Sequence, residues 1–119
     1  AFEHFCLKQN NLISKILEID DKVIDYGPLF QSDENHFQID LMLKTNESEI
    51  YVCECKFTKE PVAGDVIAEI QAKLALYPVK KGIVIRKVLI SVANATQAVH
   101  KSKYFDHIID LNQLISIGN

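Results

Sequence analysis

No stretch of this 119-residue chain is apolar for long enough to cross a bilayer, and its opening residues do not read as a secretory signal. The expectation is a soluble, cytoplasmic domain with no membrane partner. Positive charge is not in excess either. Thirteen Lys and Arg stand against sixteen Asp and Glu, a net charge of −3, with a pI near 5.8. Tight non-specific binding of nucleic acid needs a positive face, so that class of function is disfavoured. Lys80, Lys81, Arg86 and Lys87 cluster locally, as do Lys101 and Lys103. A solubilising surface is the simpler reading of both groups. Cysteine is scarce: Cys6, Cys53 and Cys55 make an odd count that fits reduced thiols in a reducing compartment. A zinc site would need a fourth ligand and a knuckle-like turn, and neither is visible. His4, His36, His100 and His107 are scattered and read as surface or boundary residues. There are no internal repeats and no low-complexity segments.

What remains is an ordinary globular composition, 48% hydrophobic and 24% charged. The length suits one domain with a real core and is too short for two. The first residue is Ala1, and a helical pattern has already begun there; a piece cut from a longer polypeptide and removal of an initiator methionine both fit this.

Hydrophobic spacing predicts a helix over 2–19, carried by Phe2, Phe5, Cys6, Ile13, Ile16 and Leu17, with a soft spot at Asn10-Asn11. A strand at 22–26 is expected to stop at Gly27-Pro28, with 29–31 as an extension past the turn. A second helix is expected over 64–77, with Asp65 at its start and Pro78 ending it. On it Val66, Ile67, Ile70, Leu74 and Tyr77 form the apolar stripe, and Glu69 and Lys73 form an i,i+4 pair on the exposed side. Val88 to Val92 is continuous and β-branched, the pattern of a strand covered on both faces. A short helix to about 103, a strand at 105–109 and a last helical turn through Leu111, Leu114 and Ile115 follow. The order is α-β-β-β-α-β-α-β-α, an α/β chain with helices on each side of a mixed sheet.

The chemistry concentrates between these helices. Phe37, Ile39, Leu41 and Leu43 alternate with Gln38, Asp40 and Met42. In the next run Tyr51, Cys53, Cys55 and Phe57 alternate with Val52, Glu54 and Lys56. A polar stretch at 44–49 suits the hairpin loop between them. Folding there brings Asp40 near Glu54, with Lys56 beside them, on the side away from a Phe37/Leu41/Cys53/Phe57 core. Two carboxylates and an ammonium suit Mg²⁺ and a polarised water, hence phosphodiester hydrolysis. The same charges also fit a solvated face, with Asp40 pairing a Lys across the ribbon. Their placement inside apolar strands, where an unpaired carboxylate is costly to shelter, favours a cation site.

Asp on the second strand and Glu-x-Lys on the third, within this element order, resemble the PD-(D/E)XK nuclease superfamily. The resemblance implies a restriction-endonuclease-like αβββαβ core over 2–92 with a C-terminal αβα extension. A closer resemblance lies in Phe37-Gln38-Ile39-Asp40-Leu41 and Val52-Cys53-Glu54-Cys55-Lys56-Phe57. These look like the "QIDL…CEIKF" pattern of the C-terminal nuclease-like domain of archaeal-type AAA ATPases. Phe2-Glu3…Phe5-Cys6-Leu7-Lys8 is similar to the helix that opens that domain, and Tyr104-Phe105-Asp106…Ile109-Asp110-Leu111…Leu114 to its tail.

By this resemblance Asp40 and Glu54 are the metal carboxylates and Lys56 the catalytic lysine. The carbonyl of Cys55 is a further ligand, and Glu3 matches an acidic position that reaches the metal in several members. Gln71 lies where some relatives place a site-facing glutamine. The tyrosine that follows four residues later in the RecB-like branch is Ala75 here, and Tyr77 falls at another phase. Ile39 stands where the motif's proline would be. The implied cofactor is Mg²⁺ or Mn²⁺. The implied partners are DNA and an ATPase domain of the same polypeptide, with a homodimer as a further option. No Walker-type phosphate loop occurs, so an ATPase domain would lie outside these residues. Two other readings stay open: a catalytically silent DNA-docking or protein-interaction module that regulates the ATPase, and a defence-related endonuclease acting alone.

Overall fold

The computed structural model describes residues 2–31, 37–110 and 112, with side chains left aside at 2, 3 and 31. The chain opens with two short helices, α1 (Phe2–Lys8) and α2 (Asn10–Ile16), where the spacing predicts one. The break has a local cause. The Asn10 side chain donates to the Leu7 carbonyl at 3.0 Å and competes for an acceptor that the continuing helix would use. The helical pattern also stops earlier than expected. Glu18 takes φ 60°, its N–H returns to the Lys15 carbonyl, and the Ile19 N–H returns to that of Ser14. That is a Schellman closure, and it turns Ile19 back into the core.

Five strands follow the hairpin logic and then the crossover logic. β1 (Val23–Gln31), β2 (Phe37–Thr45) and β3 (Glu49–Lys56) are antiparallel neighbours. The helix α3 (Asp65–Leu76) crosses to β4 (Val84–Ser91), and α4 (Gln97–Ser102) crosses to β5 (His107–Asp110). Both of those strands run parallel to the strand before them, giving a mixed sheet ordered β1-β2-β3-β4-β5. The predicted last helical turn lies outside the described residues, apart from residue 112.

Three local expectations change. β1 runs straight through Gly27-Pro28. It is an edge strand, so the missing N–H of Pro28 leaves no central ladder bond unmade, and the register slips there. The β2–β3 turn is tighter than a 44–49 loop: only residues 46–48 separate the strands, with Ser48 at φ 60°. The third change concerns β2. Its alternation is interrupted: Gly27 faces Met42 but Leu29 faces Ile39, so β2 carries an extra residue around Asp40-Leu41. The bulge moves Ile39 and Phe37 off the Leu41 face and onto the Met42/Val52 face.

The core has two layers. On one face Cys6 and Ile13 from the opening helices pack on Leu41, Leu43, Tyr51, Cys53, Cys55, Val88 and Ile90. On the other, Val66 and Ile70 of α3 and Val99 of α4 cover Leu89, while Leu74 and Tyr77 cover Ile39, Met42 and Val52. Phe57, expected in the first layer, is exposed, because β3 ends at Lys56 and the chain leaves the sheet there. All three cysteines are free buried thiols, as expected. Among the described residues no helix is long and apolar enough to cross a membrane.

Candidate functional site

The β2 bulge is what presents Asp40. The last β2–β3 pair is Leu41↔Cys53, and one further step of that register sets Asp40 across from Glu54. There the carboxylate replaces a ladder carbonyl: Asp40 Oδ2 accepts from the Cys55 backbone N–H at 2.9 Å, and Oδ1 accepts from the Gln38 amide at 3.1 Å. Asp40 is buried, and so is Glu54, whose relative exposure is only 3%. Strand alternation points Glu54 and Lys56 toward α3, and the Cys53 and Cys55 side chains toward α1 and α2.

Helix α3 answers with two charged residues. Lys73 Nζ donates to both Glu54 oxygens, at 3.1 and 2.9 Å. Lys56 Nζ donates to both Glu69 oxygens, at 2.9 and 2.8 Å, and lies 4.0 Å from Glu54. Lys73 also reaches Glu69 at 3.5 Å. Two carboxylates and two ammoniums thus alternate around a ring, and Asp40 adds a third carboxylate at its buried rim. The pair Glu69/Lys73 was expected on the exposed side of the helix. Glu69 does stay exposed and paired with Lys73, but Lys73 itself turns toward the sheet, because it borders the apolar stripe of Val66, Ile70 and Tyr77, where burial is tolerable only beside a carboxylate. That position beside the stripe is the sequence signal that could have found it.

The charges shift one another's ionisation. Burial pushes the Glu54 carboxyl up, the neighbouring Asp40 charge pushes it further, and Lys73 pulls it back, leaving it raised to about 7. Burial acts to lower the Lys56 ammonium, but the Glu69 hydrogen bond and the Glu54, Glu69 and Asp40 charges outweigh it, so Lys56 is raised. Burial opposes ionisation of Glu69 too, and the Lys56 and Lys73 contacts more than offset it, so Glu69 is lowered. A hydrogen bond with the Cys6 thiol, and then burial, hold the Cys55 thiol far above its usual range. Its side chain lies in the core on the other face of the sheet, so toward the Glu54 side Cys55 presents only its backbone.

Of the residues singled out from sequence, Asp40, Glu54 and Lys56 come together. The side chain of Glu3 lies outside the described set. Gln71 is exposed, two residues and hence about 200° around the helix from both Glu69 and Lys73; it does not share their face. Among the described residues no group of three or more His, Cys, Asp or Glu side chains is placed to hold a metal ion between them. The protein donors are then two carboxylates, which is what Mg²⁺ takes when water and phosphate oxygens complete its shell; a closed zinc site would need more. Beside the ring, Lys56 and Glu69 border an open depression of about 280 Å³ that continues past Thr58, Glu60 and Asp65.

No protein-family profile matches this chain, and no curated protein matches it in sequence. Solved structures do match. The Vibrio cholerae protein VC1899 superposes over 92% of the chain with a TM-score of 0.58 at 16% identity. A repair endonuclease from Pyrococcus abyssi superposes over 86% with a TM-score of 0.50, also at 16% identity. The chain spans 30% of the first protein's length and 44% of the second's. At such identity the likeness establishes the fold: a mixed α/β architecture compatible with the restriction-endonuclease-like class, and shared with an endonuclease.

Proposed function

We propose that this chain is a metal-dependent nuclease domain of the PD-(D/E)XK type, acting on the phosphodiester bonds of DNA. The observation that carries the reading is the pair of buried carboxylates, Asp40 and Glu54, delivered side by side from adjacent strands with Lys56 on the same face. Sheltering two acids together is unfavourable unless a cation belongs between them. The fold shared with a repair endonuclease supports the same reading. Asp40, Glu54 and the Cys55 carbonyl would hold Mg²⁺ or Mn²⁺. Such an ion, once bound, would polarise a phosphate oxygen and lower the pKa of a bound water. The chain's own residues do the rest. The Cys55 N–H fixes the Asp40 carboxylate. Lys56, at the open end of β3, stabilises charge on the phosphate and orients the attacking water. Glu69 holds the Lys56 ammonium in its charged form.

Attachment to an ATPase of the AAA class belongs to the proposal as well. Its support is the Phe37–Leu41 and Val52–Phe57 pattern, together with a fold that in its structural neighbours is part of a longer chain.

The test is cleavage of plasmid and branched DNA with Mg²⁺ or Mn²⁺. Lys56→Ala is expected to lower the rate by about 10²-fold, the usual cost of removing one charge-stabilising donor. Equal rates for the two proteins remove Lys56 from the mechanism. A second reading, a silent docking module, is favoured by one observation: Lys73 already satisfies both Glu54 oxygens. Calorimetry with Mn²⁺ separates the two, since the module requires no binding that depends on Asp40 and Glu54.

A further inference from the structure

The ring contains a cation of its own. Lys73 Nζ sits within 3.1 Å of both Glu54 oxygens, and its side chain is 17% exposed. It arrives from α3, whereas the carboxylates come from the sheet, so its contact with Glu54 joins separate elements and can open without disturbing the β2–β3 ladder. It has a second anion within reach: Glu69, one helical turn back, is 3.5 Å away. Asp40, by contrast, accepts from two neutral donors, the Cys55 N–H and the Gln38 amide.

We propose that Lys73 is a tethered cation that competes with a divalent metal ion for Glu54, and so sets how weakly the site holds its metal. Two cations on one carboxylate repel each other, whether or not the lone pairs suffice for both. Each metal ion bound must therefore be accompanied by weakening or loss of the Lys73–Glu54 contact. Glu69 keeps the cost of that exchange low, because the displaced ammonium moves from one carboxylate to another without being stranded in a buried place. The residue tunes the affinity of the site, a role distinct from that of Lys56, which borders the open depression. This inference rests on the metal-site reading above and adds to it a residue outside the Asp…Glu-x-Lys pattern.

The experiment is isothermal calorimetry of Mn²⁺ binding at constant ionic strength on wild type, Lys73→Gln, Lys73→Met, Lys73→Arg and Glu54→Gln. Lys73→Gln and Lys73→Met are expected to bind Mn²⁺ about tenfold more tightly than wild type, equivalent to about 1.4 kcal/mol. Lys73→Arg, which keeps the charge, should stay near wild type. A parallel melting series guards against loss of fold: Mn²⁺ should raise the melting temperature of Lys73→Gln more than that of wild type. Equal or weaker Mn²⁺ binding by Lys73→Gln, with binding still abolished in Glu54→Gln, overturns the competition and leaves the metal site standing. An equal gain in Lys73→Arg overturns it too, because charge would not be the cause. No binding by any variant overturns the metal site itself and the competition with it.

Discussion

On the α1/α2 side of the sheet, one unbroken apolar layer runs from Leu41 and Leu43 of β2 across β3 and β4 to Ile109 of β5. On the α3 side the apolar layer is split. One cluster sits where α3 and α4 cover β4, another where the end of α3 covers β2 and β3, and the charged ring lies between them. A single strand supplies both surfaces: Cys53 and Cys55 of β3 go into the first, Glu54 and Lys56 into the second. The difference teaches a division of labour. The continuous side supplies stability and holds β3 in place, and the interrupted side can then shelter charges that do nothing for the core.

That contrast can be broken or sharpened experimentally. The largest effect belongs to the continuous side. Leu41 is fully buried there, and Leu41→Ala is expected to cost about 3 kcal/mol in urea unfolding, by lost transfer free energy and the cavity left behind. A cost as small as that of a surface substitution would mean that the two sides do not differ as described.

The next effect, similar in size, comes from the charged side and depends on pH. The Glu54 carboxyl is raised in the folded protein, to about 7 from its ordinary value of 4.5. Between those values the folded state binds more protons than the unfolded one, so stability falls as pH rises. The contribution is complete below pH 4.5 and lost once pH passes 7, in total about 3 kcal/mol. Unfolding free energies at pH 4.5 and 8 should show this decline in wild type, and Glu54→Gln should lack it. Parallel pH profiles for the two proteins would refute the assignment.

Smaller effects sharpen the comparison. Ser91 ends β4 in register with Lys56, and its hydroxyl is buried without a hydrogen-bond partner among the described residues. Ser91→Ala should therefore stabilise the fold, by about 1 kcal/mol. A loss of stability would reveal a partner for the hydroxyl. The smallest effect is the Lys56–Glu69 pair, which is partly open to solvent. A double-mutant cycle should return a coupling of about 0.5 kcal/mol, shrinking with added salt. A much larger coupling would make the ring a structural element in its own right.

How much of this was legible in sequence differs between strand and helix. In β3 the period of two is unbroken, so Glu54 and Lys56 read directly as sharing a face, and Cys53 and Cys55 as sharing the other. In β2 the same rule fails at Ile39, because a bulge is a backbone event that leaves no mark in an alternating pattern. Lys73 was legible as a helical residue and illegible as a partner of Glu54. The i,i+4 spacing named its neighbour on α3, and nothing local named the strand beneath. Gln71 shows the reverse: a family resemblance singled it out, and the rotation of α3 carries it outward.

Short-range periodicity and turn chemistry fix the succession of the five strands with α3 and α4 between them, the hairpin that joins β2 to β3, and the shared face of Glu54 and Lys56 on β3. Only the tertiary structure decided that Asp40 would bind the Cys55 N–H, that Phe57 would leave the core, and that α3 would lay Glu69 and Lys73 over the carboxylates. Those outcomes depend on where a sheet bulges and how a helix docks, and both are settled by packing between residues far apart in the chain.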